Sequence, residues 1–236
     1  TDRVAEKPDN RLGLPRNAST ESPASVAELA REGASAPERG GQRPLDSVPA
    51  GRLLDMALPE KGWLADYVSW AFPCTESPKL FHLACGLSCL SAAVGRRAWL
   101  PLAPGRLYAN TFVALIGGQG LVRKSTALSL ADSVVSEAFP GQVFAGDATA
   151  EALCTRVLVE RPERLLLCDE LSRTISTRDY MASVKPFLAE LFNCPRELAR
   201  SRAGEGNSCV ENPTVSILGA STLSWLRTAV SSNDIG

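Results

Sequence analysis

The chain has 236 residues, 44% hydrophobic and 22% charged, which suits a soluble globular protein with one sizeable domain, alone or with an extension. A formal net charge of -1 excludes nucleic-acid binding through a global basic excess, so any such contact has to be local. Seven cysteines without C-x-x-C spacing, and a single histidine, His82, give no support to a zinc site or a disulfide framework. The longest apolar stretch, Leu80 to Val94, contains His82 and falls short of the roughly 18–20 residues that cross a bilayer. The chain therefore reads as a cytoplasmic protein with buried reduced thiols, no signal peptide and no membrane span.

Residues 1–52 are rich in Pro, Gly, Ser, Ala and mixed charge, with no sustained apolar period. Such a segment buries too little apolar surface to offset its ordering entropy. It reads as a disordered linker to an upstream domain, with at most a short helix over 25–31. Residues 53–110 read as a helical extension leading into a core at 111–236. Within it, Trp63, Leu64, Tyr67, Val68 and Ala71 have helical spacing, and Pro73 ends the run. Pro78 starts a second helix to about residue 96, apolar around most of its circumference, in which His82 is a packing residue. Residues 99–102 read as a short strand, and 107–110 as the lead into the strand at 112–116.

Beyond that strand the pattern predicts a helix over 124–137, a strand at 142–145 and a helix through residue 159 capped by Thr149. A strand at 165–168 follows, then a polar loop over 172–178, a helix over 181–192 and a hairpin over 196–211. The last elements are a strand at 214–218 and a helix over 223–230. Strands alternating with helices, without internal repeats, argue a three-layer α/β domain with a mainly parallel sheet. Thr1 in place of methionine, and the polar run before Gly236, read as the ends of a piece of a longer chain.

Residues 111–130, TFVALIGGQGLVRKSTALSL, have the order strand, glycine-rich loop, helix that marks a phosphate-binding P-loop. In such a loop successive backbone N–H groups wrap the phosphates at a helix N-terminus, where the helix dipole also favours negative charge. The candidate ATP-binding residues are Gly117, Gly118, Gln119, Gly120, Arg123, Lys124, Ser125 and Thr126. Lys124 supplies charge to the β and γ phosphates, and Ser125 holds Mg²⁺. Thr126 is an alternative hydroxyl or an α-phosphate contact.

Gly118 takes the first glycine position of G-x-x-x-x-G-K-[ST], whereas Arg123 replaces the second. A side chain there is expected to keep φ negative and to leave the phosphate path. Two readings of the loop by itself stay open. One is a pseudo-loop that no longer takes nucleotide; the other turns on Gly117 and Gly120, with Arg123 pointing outward or lying against a phosphate.

The buried-strand run Leu165 to Cys168 ends in Asp169-Glu170. Two acids there can be simple strand-end solvation. Read with the loop, they form a Walker B pair in which Asp169 holds Mg²⁺ and Glu170 orients and deprotonates the attacking water. Ser221-Thr222, after the strand at 214–218, offers a polar group that senses the γ phosphate or helps to place the water, with Ser221 the candidate; alternatively Thr222 caps the next helix.

The stretches LYANTFVALIGGQGLVRKSTAL, RLLLCDELS and NPTVSILGASTLSWL, in that order, resemble the DUF3987 family of P-loop proteins, as does FHLACGLSCLSAAVGRRAWLPL upstream. The resemblance spans roughly 58–236. It implies a RecA/AAA+-like P-loop NTPase, regarded as a helicase-like ATPase of phages, plasmids and other mobile elements, often beside or fused to a primase. An arginine-lysine-serine loop recurs in that family, so the resemblance makes Arg123 a family feature. It also leads one to expect a glycine-rich turn and a finger arginine, which are absent where the chain stops at Asp234-Ile235-Gly236.

The expected function is the ATP- and Mg²⁺-dependent motor domain of a helicase or primase-helicase acting on single-stranded DNA, assembled as a homo-oligomeric ring. Glu170, Lys124 and Ser221 are its expected catalytic residues, with Ser125 and Asp169 on the metal. Arg196, Arg200 and Arg202, beside the turn 204–207, form the local basic group for DNA, or else a solvated hairpin face. Two other classes fit the same residues: an ATP-driven switch or remodeller of a protein partner, and a non-catalytic scaffold in which Arg123 blocks phosphate.

Overall fold

The computed structural model describes residues 50–102, 105–120, 122–146, 148–175, 183–202 and 206–229. The expected linker therefore lies outside the described residues up to position 49, as do the expected helix over 25–31 and the polar C-terminus. Positions 50–52 already belong to a helix, α1 (Ala50–Ala57), whose Leu54 packs against the core. Helix α2 (Trp63–Ala71) buries Tyr67, Val68 and Ala71 of the expected apolar set, and Ala65 besides, whereas Trp63 of that set is exposed. A 3₁₀ turn at Phe72–Cys74 ends it, because Pro73 has no N–H to continue the ladder. Helix α3 (Lys79–Val94) begins after Pro78.

Strands β1 (Trp99–Leu102) and β2 (Gly105–Tyr108) pair antiparallel with each other. Residues 107–108 thus close a small hairpin and do not lead into the core strand. That strand is β3 (Phe112–Ile116), followed by helix α4 (Lys124–Ala138) and strand β4 (Val143–Ala145). Helix α5, over 150–160, contains a π-helical turn at Leu153–Val157, and Thr149 caps it by accepting from Ala152 N at 3.1 Å. Strand β5 (Glu163–Cys168) runs into helix α6 (Leu171–Thr174). The polar loop expected at 172–178 is therefore helical at its start, and 176–178 lie outside the described residues. Helix α7 (Val184–Phe192) is the described part of the helix expected over 181–192. Strands β6 (Glu197–Arg202) and β7 (Gly206–Glu211) form the antiparallel hairpin that the turn residues suggested. Strand β8 (Thr214–Ser221) is three residues longer than its apolar run, and helix α8 (Leu223–Ala229) follows it.

A four-stranded parallel sheet in the order β3-β8-β5-β4 organises these elements, so the fold is mixed α/β with helices on both faces of the sheet. Side chains alternate across it, which divides the core in two. Leu165, Leu167, Leu218 and Ala220 face α2, α3 and α4; Leu166, Cys168, Val215 and Ile217 face α5, α6, α7 and the β6–β7 hairpin. All eight residues of β8 are buried, as the second strand of a covered parallel sheet requires.

Within the segment 53–110, α2 and α3 pack into the core, whereas the β1–β2 pair is largely exposed. Helix α3 lies on the sheet, with Ser91 Oγ bonded to Ser216 Oγ of β8, and its Cys85 and Cys89 thiols point at the α4 carbonyls of Ala127 and Ala131. Burial pushes both thiols up to about 12, so they are inert packing groups. Five of the seven cysteines are buried and free; Cys74 and Cys209 are exposed and free, contrary to a uniformly buried set. No helix among the described residues is long and apolar enough to cross a membrane.

Arg96 ties the layers together at the end of the sheet away from the loop at 117–123. Its guanidinium donates to Thr214 Oγ1 at 2.7 Å, Asn212 Oδ1 at 2.9 Å, Pro195 O at 2.8 Å and Cys194 O, and it lies over the Tyr108 ring. Cys194 and Asn212 both have positive φ, so these bonds hold two turns that are otherwise disfavoured. Arg96→Ala is expected to cost roughly 2–3 kcal/mol, because it leaves several carbonyls unpaired at once. Urea unfolding checks this: the midpoint falls while the slope stays the same.

Candidate functional site

Strand β3 ends at the glycine-rich loop, and two local features shape that loop. Gly117 N donates to Ser221 O of the adjacent strand at 3.3 Å, and a Cβ at Gly117 would stand 2.5 Å from Val122 Cγ2. A side chain at 117 would have to displace Val122. Gly120 has φ 73°, in the left-handed region that glycine adopts freely, whereas Gly117 is constrained by its contact with Val122 and not by a positive φ.

Lys124 opens α4 and arches back over the loop, its Nζ donating to Gly117 O at 2.9 Å and Gly118 O at 3.1 Å. A cation is thereby fixed beside the helix N-terminus, where the first N–H groups have no intrahelical acceptor. Ser125 and Thr126 are exposed in the first turn. Gln119, Gly120, Arg123, Lys124, Ser125 and Thr126 all line one cleft of about 420 Å³, together with Asp169 and Glu170. Gly117 and Gly118 line the adjoining cleft, where Ile116 and Leu223 also lie.

Arg123 departs from expectation. Its φ of 42° and ψ of 43° are left-handed, so the arginine adopts the glycine-like backbone itself and does not avoid it. For an L-residue that conformation costs about 1–2 kcal/mol. The guanidinium turns away to Glu76, with Nε 2.9 Å from Oε2 in an exposed pair, while the buried Ser77 donates Oγ to Arg123 O at 2.7 Å. Thr75 Oγ1 accepts from Ser77 N at 3.0 Å and lies 2.9 Å from His82 Nε2. His82 is fully buried, and burial holds its imidazole below the ordinary range, hence neutral. Its Nδ1 has no partner among the described residues, so this histidine is packed but only half satisfied.

Asp169 and Glu170 follow β5, two strands from the loop. Asp169 is exposed to the cleft. Glu170 is held: its Oε1 accepts from Ser221 Oγ at 2.6 Å, Ser172 Oγ at 2.5 Å and Ser172 N at 3.3 Å. Three donors on one oxygen fix the plane of the carboxylate and leave Oε2 free of hydrogen bonds among the described residues. Simple solvation does not account for such an acid. Ser221 is 1% exposed and spends its hydroxyl on Glu170, so it acts through that carboxylate and does not reach into the cleft as a sensor would. Thr222 caps α8, its Oγ1 accepting from Trp225 N at 3.3 Å.

A second cleft, of about 390 Å³, shares Ser125, Asp169 and Glu170 with the first and adds Asp132 and Arg173. Residues outside the expected set also border the site. Glu76 and Ser77 lack any local signal, since they are far from the loop in sequence. Arg173 arrives because Glu170 caps the turn of α6, and glutamate is not among the residues that mark a helix start in sequence. The half-exposed Trp225 follows likewise from the Thr222 cap and lines both cavities beside the loop. The basic group is not brought to the site by any described contact; Arg196 is exposed beside β6, and the turn 203–205 lies outside the described residues.

No protein-family model matches this chain, and no curated protein matches it. One cleft holds a lysine at a helix start, an exposed hydroxyl, an exposed carboxylate and a second carboxylate oriented by hydroxyls.

Gly117→Ala is expected to destabilise the chain by roughly 1–3 kcal/mol, since the added methyl meets Val122 at once. Adding Val122→Ala should recover part of that loss. Thermal unfolding of the single and double variants checks the pair, and independence of the two changes would contradict the packing described.

Proposed function

We propose that this chain is the ATP-binding and ATP-hydrolysing motor domain of a helicase or primase-helicase of a mobile element, acting on single-stranded DNA. The observation that carries the ATPase part is the convergence, in one cleft, of Lys124 and Ser125 from the loop, Asp169 and Glu170 from the end of β5, and Ser221 beneath Glu170. These residue types in this arrangement suit a P-loop site of the RecA/AAA+-like class. Alternating strand, loop and helix order and the parallel sheet support that class. The motor, the DNA and the primase module rest on the resemblance of the motifs to the DUF3987 family, as does assembly into a homo-oligomeric ring. A cytoplasmic location suits its free cysteines.

In this reading the loop N–H groups, the α4 N-terminus and Lys124 bind the phosphates. Lys124 leaves the Gly117 and Gly118 carbonyls, at least in part, for the β and γ phosphates. Ser125 and Asp169 are hard oxygen donors on the same cleft, which suits Mg²⁺ bound by few protein ligands and by phosphate oxygens. The metal would neutralise charge developing on the phosphates. Glu170 takes the proton of the attacking water through Oε2, while Ser221 and Ser172 hold Oε1.

A second reading, an ATP-driven switch or remodeller of a protein partner, shares all these residues. It is favoured by the exposed apolar side chains of α2, α3 and the turn between them: Trp63, Trp70, Phe72, Leu80 and Leu87.

Lys124→Ala is expected to lower Mg-ATP affinity by about 100-fold or more, measured by calorimetry. Equal affinity in both proteins would overturn the ATPase reading. Glu170→Gln is expected to keep ATP affinity while turnover falls about 100-fold or more, because the base is lost and the ground-state contacts are not. Single-stranded DNA is expected to raise ATP turnover at low salt; an unchanged rate would move the conclusion to the protein-partner reading.

A further inference from the structure

Position 123 stands directly before the phosphate-loop lysine, where the loop pattern has a glycine, and here a left-handed arginine occupies it. Something must select that backbone over the right-handed one that arginine prefers. Both candidates come from the turn between α2 and α3. The Glu76 carboxylate draws the guanidinium outward, but both side chains are largely exposed, at 58% and 77%, and such pairs hold weakly. Ser77 is different: it is 1% exposed, its own N–H is bonded to Thr75 Oγ1, and its hydroxyl is fixed on Arg123 O at 2.7 Å.

That bond has a directional consequence. The peptide unit is planar and trans, so the carbonyl of residue 123 and the N–H of residue 124 point in opposite directions. Pinning Arg123 O toward Ser77 and the first-turn amides of Thr126 and Ala127 turns the Lys124 N–H away from α4, toward the loop. The same peptide unit sets where the Lys124 side chain leaves the helix to reach over Gly117 and Gly118.

We propose that Ser77 is a positioning residue of the phosphate site: its hydroxyl holds Arg123 in the left-handed conformation that glycine adopts freely, and thereby holds the Lys124 amide and ammonium toward bound phosphate. This rests on the ATPase reading of the cleft. Ser77 touches neither nucleotide nor metal. Glu76 keeps the guanidinium out of the phosphate path and contributes little to the backbone.

The role predicts a dependence that ordinary packing does not: Ser77 matters only while residue 123 is not glycine. Four proteins test it: wild type, Ser77→Ala, Arg123→Gly and the double variant. Mg-ATP affinity is measured by calorimetry, and stability by urea unfolding. Ser77→Ala is expected to weaken Mg-ATP binding by about tenfold against wild type, and the double variant to stay within about threefold of Arg123→Gly, whatever affinity Arg123→Gly itself has. Stability should show the same coupling, with Ser77→Ala lowering the midpoint less when residue 123 is glycine.

Unchanged affinity in Ser77→Ala, with wild type binding, would overturn the proposal and leave the ATPase reading standing. A double variant about tenfold weaker than Arg123→Gly would also overturn it, since Ser77 would then act through something other than Arg123. If wild type binds no Mg-ATP, the reading of the cleft fails and the positioning role falls with it, even where the unfolding midpoints stay coupled. Should Ser77→Ala fold too poorly to titrate, the double variant decides: folding restored by glycine, with affinity equal to that of Arg123→Gly, supports the role, and continued loss of folding sinks it.

Discussion

Ser221 joins the two halves of the candidate site. Its carbonyl accepts from Gly117 N at the mouth of the loop, and its hydroxyl donates to the Glu170 carboxylate at the end of β5. Both bonds exist because β8 runs between β3 and β5, in register with each, so that Ile116 is paired with Ser221 and Cys168 with Gly219. A sheet with β3 and β5 adjacent would leave no residue to bridge them. Gly219 itself matters here, since a Cβ would stand 2.9 Å from Leu171 Cβ and push away the helix that carries Ser172 and Arg173. The position of the oriented carboxylate thus depends on a buried strand contributing no charge of its own.

The loop shows how a protein keeps a glycine's geometry without the glycine. Left-handed backbone is free for glycine and costs an arginine about 1–2 kcal/mol, an amount that one well-placed buried hydrogen bond can offset. Arg123 makes such a bond through its carbonyl to Ser77, and its charge is led off to Glu76. The exchange links the loop to the turn between α2 and α3. It is a reason for these helices to lie against the sheet and not merely beside it. The same turn carries Thr75, paired with a buried neutral histidine, so it is held from its other end as well.

Helices α2 and α3 therefore have two roles. Their inner faces complete one half of the core with α4, through Tyr67, Val68, Leu83 and the thiols of Cys85 and Cys89. Their outer faces leave two tryptophans and two leucines half exposed. The β1–β2 hairpin adds Trp99, Leu100, Leu102 and Leu107, with Arg106 stacked on Trp99. The charged, cleft-forming end of the sheet and these apolar outer faces are thus separate features of one domain.

The sequence alone determined whatever depends on neighbours along the chain. Apolar period gave away α2, α3, α4 and the buried strands, and Thr149 and Thr222 announced their caps. The contiguous run from Gly117 to Thr126 marked out the glycine-rich loop and its lysine. Local pattern failed where the chain's own propensity was overruled or silent. The lead-in expected at 107–110 is half of a hairpin, because β2 finds its partner in β1 and not in the sheet. The loop expected from 172 starts as a helix, because the Glu170 side chain caps it. Only tertiary structure decided the strand order, the use of Ser221 and the backbone of Arg123. Each is set by groups far apart in sequence: Ser221 lies 51 positions from Glu170, and Ser77 lies 46 from Arg123. A residue's φ or the partner of its hydroxyl follows from what packing brings next to it, and no periodicity within the chain encodes that neighbour.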